Sequence, residues 1–321
     1  MDMTALTSFA APFSAIVTSI VLEAAPFLLL GSLLSSILAV FVGDGALERL
    51  GRRPVAVQIA LGCLAGVILP TCECGVVPVV RRLLKKGVPA ATAIPFLLAA
   101  PVVNPVSVAS TVVAFQGDWT MAALRVGLAL VPAAALGWAL ASTNGLELLR
   151  PTLDMAPGHD HGHDHGPDCG CGCGHDHSQQ APGSLPAKIL DVLRHTAQEF
   201  LDMGRYLILG ACAAGLFKTL LPQGLLALVS GSLLPAIAAM MLLAVLLSVC
   251  SEADAFVAAS LSMFPPAALL SFLVLGPMLD LKLIPAFLSV FKRRVALAVI
   301  CVPALMIFIL SAALGLTGVL P

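Results

Sequence analysis

The sequence predicts an all-α integral membrane protein built from two inverted-topology repeats, each with about three full spans and a re-entrant hairpin. Three observations lead to this expectation: the composition, the length of the apolar segments and an internal similarity. Of the 321 residues, 59% are hydrophobic and 11% are charged, whereas soluble domains carry about 25% charged residues. One globular core cannot bury so much apolar surface, which excludes a soluble enzyme, a nucleic-acid binder and a disulfide-rich secreted domain.

Eight apolar stretches follow one another along the chain. Each approaches or exceeds the roughly 20 residues needed to cross about 30 Å of hydrocarbon. They cover residues 11–42, 55–80, 88–114, 119–141, 196–221, 224–262, 266–291 and 295–318. A polar segment separates the first four from the last four, so the chain divides into a membrane repeat (1–141), an insert (142–190) and a second membrane repeat (191–321). The simpler alternative is eight transmembrane helices.

The two apolar halves resemble each other at a nearly constant offset. One offset aligns Cys74 with Cys250, Pro101 with Pro277 and Asn104 with Asp280. A similar offset aligns the segment from Glu23 to Gly31 with the segment from Asp202 to Gly210. Shared Pro, Gly and acidic positions indicate a repeat more strongly than shared Leu does in apolar sequence. Two-fold repeats are typical of secondary transporters.

Basic residues predict the orientation of the spans. No Lys or Arg precedes Arg49, which argues against a signal peptide and predicts an outside N-terminus. Basic clusters flank the stretch 55–80 on both sides, so a straight span would break the positive-inside bias. A re-entrant hairpin with its tip at 71–75 removes this conflict, and a matching hairpin with its tip at 250–254 enters from the other side. Because Pro and Gly surround the first tip, we expect Cys72 to Cys74 to be irregular rather than helical.

The two tips carry the residues expected to form a transport site near the bilayer midplane. Two Cys one residue apart can turn both sulfurs toward one point, and thiolates select soft or borderline ions. Acids inside apolar spans are functional candidates because their burial costs several kcal/mol unless they are paired or hydrated. The predicted transport-site residues are Cys72, Glu73, Cys74, Cys250, Glu252, Asp254, Asn104, Asp280, Glu23 and Asp202.

Structural roles compete with functional ones at several positions. We expect Cys63, Cys212 and Cys301, each alone in an apolar segment, to be packing residues. Asp202 has Arg205 one helical turn away and can pair with it. Glu23 can face lipid headgroups, and we expect Arg125 to extend its charged end to the membrane surface.

Residues 159–177 form a tract rich in metal ligands. Imidazole, thiolate and carboxylate together suit Zn(II), Cu or Ni, and intervening Gly residues let the chain wrap an ion. The tract is too hydrophilic to pack, so we expect it to be disordered without metal and to lie in the cytoplasm, where thiols stay reduced. The predicted ligands are His159, His161, His163, His165, Cys169, Cys171, Cys173, His175 and His177.

Three motifs give the sequence a resemblance to a known family: Pro70 to Gly75, Ala100 to Pro105, and Glu23 to Gly31. They are similar to motifs of the bacterial predicted-permease family that includes the methylarsenite efflux permease, and the resemblance covers both apolar halves. It implies a multispan inner-membrane exporter of toxic soft metals or metalloids. The insert resembles that of a subgroup regarded as copper/zinc efflux transporters, and it departs from the arsenical permeases.

Together, these observations predict a secondary transporter of the bacterial inner membrane, not an enzyme, that exports Zn(II) or Cu(I). The cytoplasmic insert would collect the ion and the tips would bind it. Proton exchange is the expected coupling because thiols and acids lose protons when they bind metal, and no P-loop pattern appears. The expected partners are the metal ion and membrane lipid, without a tightly bound cofactor or nucleic acid, and a homo-oligomer is left open.

Two other functions stay open at this stage. The first is efflux of trivalent organoarsenicals through the same thiols. The second is a membrane dithiol oxidoreductase that uses Cys72 and Cys74 as a redox pair, although the usual redox spacing is Cys-x-x-Cys.

Overall fold

The fold is known from a computed structural model, which describes residues 3–41, 51, 53–68, 71–150, 185–220 and 232–317. Over these residues the chain is helical apart from turns, loops and one isolated antiparallel bridge. The structure therefore confirms an all-α membrane protein. Residues 159–177, with all nine predicted ligands of the insert, lie outside the described residues.

The described helices fall into two groups of six, joined by a short helix. The first group is α1 (Met3–Phe41), α2 (Val55–Ile68), α3 (Glu73–Lys85), α4 (Ala90–Val103), α5 (Pro105–Ala114) and α6 (Trp119–Ala139), followed by the short α7 (Gly145–Leu148). The second group is α8 (Leu185–Leu220), α9 (Leu233–Leu247), α10 (Asp254–Ser260), α11 (Pro266–Met278), α12 (Leu283–Val290) and α13 (Arg293–Thr317).

Four segments of the described chain are long and apolar enough to cross a membrane: Ala11–Ile37, Ala90–Ala114, Trp119–Ala139 and Arg293–Thr317. The pair α11 and α12, bent by 45°, makes a fifth if it is counted as one span. These are fewer than the six full spans predicted, and α8 is not among them. The eight-helix alternative also fits poorly, because the stretches 55–80 and 224–262 are each divided into shorter helices.

The two predicted hairpin tips separate short helices. With 14 residues, α2 rises only about 21 Å, less than the hydrocarbon thickness. The expectation of an irregular first tip is wrong for Glu73 and Cys74, which lie in the first turn of α3. The reason is that the Cys72 carbonyl accepts hydrogen bonds from the N–H groups of Gly75 (3.2 Å) and Val76 (3.1 Å), which closes this turn.

The second tip has the same backbone arrangement. The Cys250 carbonyl accepts from the N–H groups of Ala253 (2.9 Å) and Asp254 (3.0 Å), where α10 begins. In backbone terms Cys72 therefore corresponds to Cys250, although the sequence offset aligns Cys250 with Cys74.

Asn104 and Asp280, aligned by the same offset, both cap the start of a short helix. The Asn104 side chain accepts from the Ser107 N–H at 2.8 Å and begins α5. The Asp280 side chain accepts from the N–H groups of Lys282 (2.8 Å) and Leu283 (2.7 Å) at the start of α12. Capping satisfies N–H groups that a new helix would otherwise leave without partners. The two acid/amide positions therefore also have a local structural role.

Helix pairings recur in the two halves. α2 packs on α4 and α4 on α6, and in the second half α9 packs on α11 and α11 on α13. Across the halves α1 packs on α8, α3 on α12 and α5 on α10. The same order of helix pairings in both halves is expected for an internal repeat. The inverted orientation of the two repeats stays a prediction. The centre consists of α4 and most of α11, whose side chains are buried.

One connection ties the end of the first half to the second. The Arg150 N–H donates to the Val290 carbonyl and the Lys292 N–H donates to the Leu148 carbonyl, both at 2.9 Å. On its other side α7 packs on α3, so residues 145–150 contact both halves at the end where α3 stops and α13 begins.

Candidate functional site

Two buried carboxylates and a buried lysine lie where the start of α3 meets the loop before α12. The Lys282 Nζ is 3.3 Å from Glu73 Oε1 and 3.2 Å from Asp280 Oδ2. The side chains of Glu73, Asp280 and Lys282 are at most 3% exposed. The cluster joins the halves, because Glu73 belongs to the first and the other two to the second. Sequence reasoning missed Lys282, although a lone lysine inside the apolar stretch 266–291 was a signal for it.

Three thiols surround this charged cluster. Cys72, Cys74 and Cys250 are buried and reduced. Cys72 and Cys74 belong to the same buried core cluster. Cys250 lies within electrostatic range of Cys74, Glu73 and Lys282. The structure thus brings together Cys72, Glu73, Cys74, Cys250 and Asp280 from the predicted set.

The polar groups of this cluster do not form a ready ligand shell. Within the described ranges, no three His, Cys, Asp or Glu side chains lie close enough together to hold a metal ion. The Lys282 ammonium instead lies between the two carboxylates, and Glu73 Oε2 has no hydrogen-bond partner. In this conformation, the Lys282 ammonium neutralises part of the negative charge of Glu73 and Asp280 that would otherwise attract a metal cation.

A second buried ion pair also joins the halves. Arg125 Nη1 is 3.0 Å from Asp254 Oδ1, and Arg125 Nη2 is 2.7 Å from Asp254 Oδ2. Arg125 also donates to Thr111 Oγ1 at 2.7 Å and to the Ser251 carbonyl at 3.3 Å. The expectation that Arg125 reaches the membrane surface is wrong, since its side chain is fully buried. Four acceptors on α5, α10 and the tip outweigh the tendency of an arginine to extend toward water.

Five predicted site residues are not part of the cluster: Asp254, which pairs with Arg125; Asn104, which caps α5; and Asp202, Glu23 and Glu252. Asp202 is exposed and pairs with Arg205 at 3.3 Å, the local pairing that their spacing allows. Glu23 is exposed on α1, yet it lies within electrostatic range of Cys250 and Glu252. Glu252 is half-buried at the second tip, within electrostatic range of Glu73. Glu23 and Glu252 therefore surround the cluster, whereas Asp202 does not belong to it.

Two cavities lie along the interface of α3 and α8. The smaller, of ≈20 Å³, reaches Cys74 and Lys282 and has room for about one water. The larger, of ≈150 Å³, lies at the other end of α3. Its lining residues are Arg81, Arg82, Lys85, His195, Gln198, Glu199 and Asp202. Cys74 and Arg81 are seven residues apart on one helix, so the two cavities are separated by about 10 Å along the axis.

Two glycines let neighbouring backbones approach the cluster. A Cβ at Gly31 on α1 would collide with the backbone of Gly75 in the first turn of α3. A Cβ at Gly210 on α8 would collide with the backbone of Lys282. Gly31 and Gly210 are the residues that the sequence offset aligned, and each allows a long helix to pack against a segment of the site.

A helical membrane protein with a buried centre of charges and thiols, built from both halves of its chain, has the construction of a membrane transporter. The chain belongs to a predicted permease family, whose model matches residues 10–316. It is similar to "UPF0718 protein YcgR" of Bacillus subtilis, with 37% identity over 294 residues that cover 91% of this chain and 92% of the relative.

A second relative is named "Putative two-component membrane permease complex subunit" and comes from Streptococcus mutans. It is 35% identical over 302 residues, which cover 94% of each chain. No solved structure matches this chain. These similarities agree with the resemblance found in the sequence at the level of the permease family.

Proposed function

We propose that this permease is a secondary transporter that exports a thiol-seeking metal ion, Zn(II) or Cu(I). The observation that carries the proposal is the group of three buried thiols around Glu73, at the junction of the two halves. Thiolates favour soft and borderline ions. Burying acids and a lysine in an apolar core is costly, and within membranes such groups mark substrate or ion pathways.

In this proposal Cys72, Cys74 and Cys250 bind the ion, with Glu73 and Glu252 completing the shell after a rearrangement of the tips. Asp254, Asp280 and Asn104 lie next to the path. The chain resides in the bacterial inner membrane, with the N-terminus outside and the His/Cys-rich insert inside, where the insert collects ions. Protons move in exchange, because thiols lose protons when they bind metal.

Two other substrates or activities follow from the same thiols. Since Lys282 occupies the carboxylates, a trivalent arsenical that binds through sulfur alone is the second candidate substrate. A membrane dithiol oxidoreductase would use the neighbouring Cys72 and Cys74 thiols, but both are buried and lack the usual redox spacing. The name of the Streptococcus relative supports a second protein subunit as a partner of this permease.

The proposal is tested in a strain that lacks the protein and is sensitive to its substrate. We expect Cys72→Ser, Cys74→Ser and Cys250→Ser each to lower resistance to zinc or copper at least tenfold, because serine does not replace a thiolate ligand for soft ions. Cys212→Ser and Cys301→Ser are matched controls outside the cluster and should complement fully. Sensitivity is measured over zinc, copper, cadmium and methylarsenite.

Full complementation by the Cys72→Ser, Cys74→Ser double variant would contradict the thiol site. Resistance to methylarsenite alone would select the second candidate substrate.

A further inference from the structure

We propose that Lys282 is a specificity-determining residue: it occupies the carboxylates of the site and thereby excludes hard cations. The inference rests on the proposed function and concerns which ions the site accepts. Its basis is the position of the Lys282 ammonium, 3.3 Å from Glu73 Oε1 and 3.2 Å from Asp280 Oδ2. Both carboxylates are buried, and each is paired with Lys282.

The donor atoms of the site fall into two chemical sets. Carboxylate oxygens are the ligands preferred by hard ions such as Mg²⁺, Ca²⁺ and Mn²⁺, whereas thiolates prefer soft ions. Lys282 pairs with both carboxylates of the oxygen set, whereas the sulfur set consists of Cys72, Cys74 and Cys250. An ion that depends on oxygen ligands must therefore displace Lys282 from the carboxylates. An ion that binds sulfur can be held by the three thiols while Lys282 stays in place.

The second ion pair shows why Lys282 rather than Arg125 has this role. Arg125 holds Asp254 through two hydrogen bonds and has two further acceptors. Lys282 makes two longer contacts, of 3.3 Å to Glu73 and 3.2 Å to Asp280. A lysine is a point charge on a flexible stem, whereas arginine holds a carboxylate in a fixed bidentate geometry. The Lys282 pairing is thus the one that an incoming ion can compete with.

The backbone of Lys282 is held on two sides. Its N–H is bound by the Asp280 side chain at 2.8 Å. On the opposite side Gly210 of α8 lies against its backbone, where a larger residue would collide. The side chain of Lys282 therefore extends from a backbone that is held in place, and we attribute its selectivity to the charge that it brings to the two carboxylates.

The test compares competing ions during zinc uptake into everted membrane vesicles. With the wild-type protein, a hundredfold excess of Mn²⁺ should leave zinc uptake nearly unchanged. In Lys282→Met, which removes the charge but keeps an unbranched side chain, Mn²⁺ should inhibit at a concentration at least tenfold lower. Lys282→Arg should retain the wild-type selectivity, and Lys292→Met, an exposed lysine ten positions away, is the control.

Each result has one meaning. Zinc uptake by Lys282→Met with wild-type resistance to Mn²⁺ would overturn the inference, as would equal sensitivity of Lys282→Arg and Lys282→Met. If Lys282→Met fails to accumulate in the membrane, Lys282→Met with Asp280→Asn, which removes one charge of each sign, is compared in the same way. Absence of uptake of every tested metal by the wild-type protein would instead contradict the proposed function.

Discussion

Two buried cations differ in how they hold their acids. Arg125 meets Asp254 with both of its terminal nitrogens, and their side chains are 0% and 2% exposed. Lys282 is shared between two carboxylates at longer distances. Removing one partner of a buried pair leaves an uncompensated charge, which is the costly outcome. The Arg125 pair therefore contributes mainly to the assembly of the halves, and the Lys282 cluster to the chemistry of the site.

Asp254→Asn should destabilise the folded protein by about 3–5 kcal/mol, because Arg125 would lose its compensating charge while staying buried. The measurement is the melting temperature of the purified protein in detergent. The matched control is Asp202→Asn, in which the exposed pair with Arg205 is lost at a cost of about 0–1 kcal/mol. Equal melting temperatures for the two variants would contradict this assignment.

Individual site residues were partly predictable. Cys72, Glu73, Cys74 and Cys250 could be predicted because acids and thiols inside apolar sequence have few structural reasons to be there. Arg125 was misassigned because its partner Asp254 is 129 positions away, and no local pattern indicates that contact. Lys282 was missed because it was not considered as a partner for the acids of the two tips.

At the scale of elements, glycines decide how closely α1 and α8 approach the segments that carry the site. Gly31 lies against Gly75, and Gly210 lies against Lys282. The sequence offset aligned these two glycines, and the structure gives both the same kind of close contact. The matching positions of the two glycines were therefore predictable, whereas the helix starts after Asn104 and Asp280 and the continuation of the helix through Glu73 and Cys74 were not. That continuation depends on a backbone carbonyl, which no side-chain pattern reports.

Gly210→Ala should reduce metal transport, because the added methyl group would push α8 away from Lys282. Overpacking of this kind costs about 1–3 kcal/mol, and zinc uptake into vesicles is measured together with the melting temperature. Gly204→Ala on the same helix is the control, since nothing lies within 4 Å of its added Cβ. We expect Gly204→Ala to behave like the wild type. Unchanged uptake in Gly210→Ala would show that the close contact is unnecessary.

For the whole molecule, the sequence predicted the class of protein and its division into two apolar halves, because the charges are few and clustered. Within the described residues four or five segments are long and apolar enough to span the membrane, fewer than the six full spans predicted, since apolar length does not reveal where a helix breaks. The pairing of α3 with α12 and of α5 with α10 depends on the packing of distant segments and had no signal in one sequence.

The insert provides the prediction that belongs to the whole molecule. Replacing its nine His and Cys residues between 159 and 177 with Ser and Asn, at constant length, should lower the apparent affinity for metal several-fold and keep the maximal rate. The reason is that the proposed midplane site lies in the membrane repeats and the insert only supplies ions to it. Rates of zinc uptake over a range of concentrations are measured. Complete loss of transport would mean that the insert is part of the path.

The hydrogen bonds between residues 148–150 and 290–292 have a mechanical consequence. Residues 145–150 also contact the end of α3, so this connection joins the halves at one end, in addition to the α1–α8 contact and the two buried ion pairs, and it would be the pivot of a rocking motion about that end. In a rocking motion, displacement grows with distance from the pivot. Glu73 lies eleven residues along α3 from Leu84, a lever arm of roughly 16 Å. A rotation about this pivot would therefore displace Glu73 more than the residues beside Leu84.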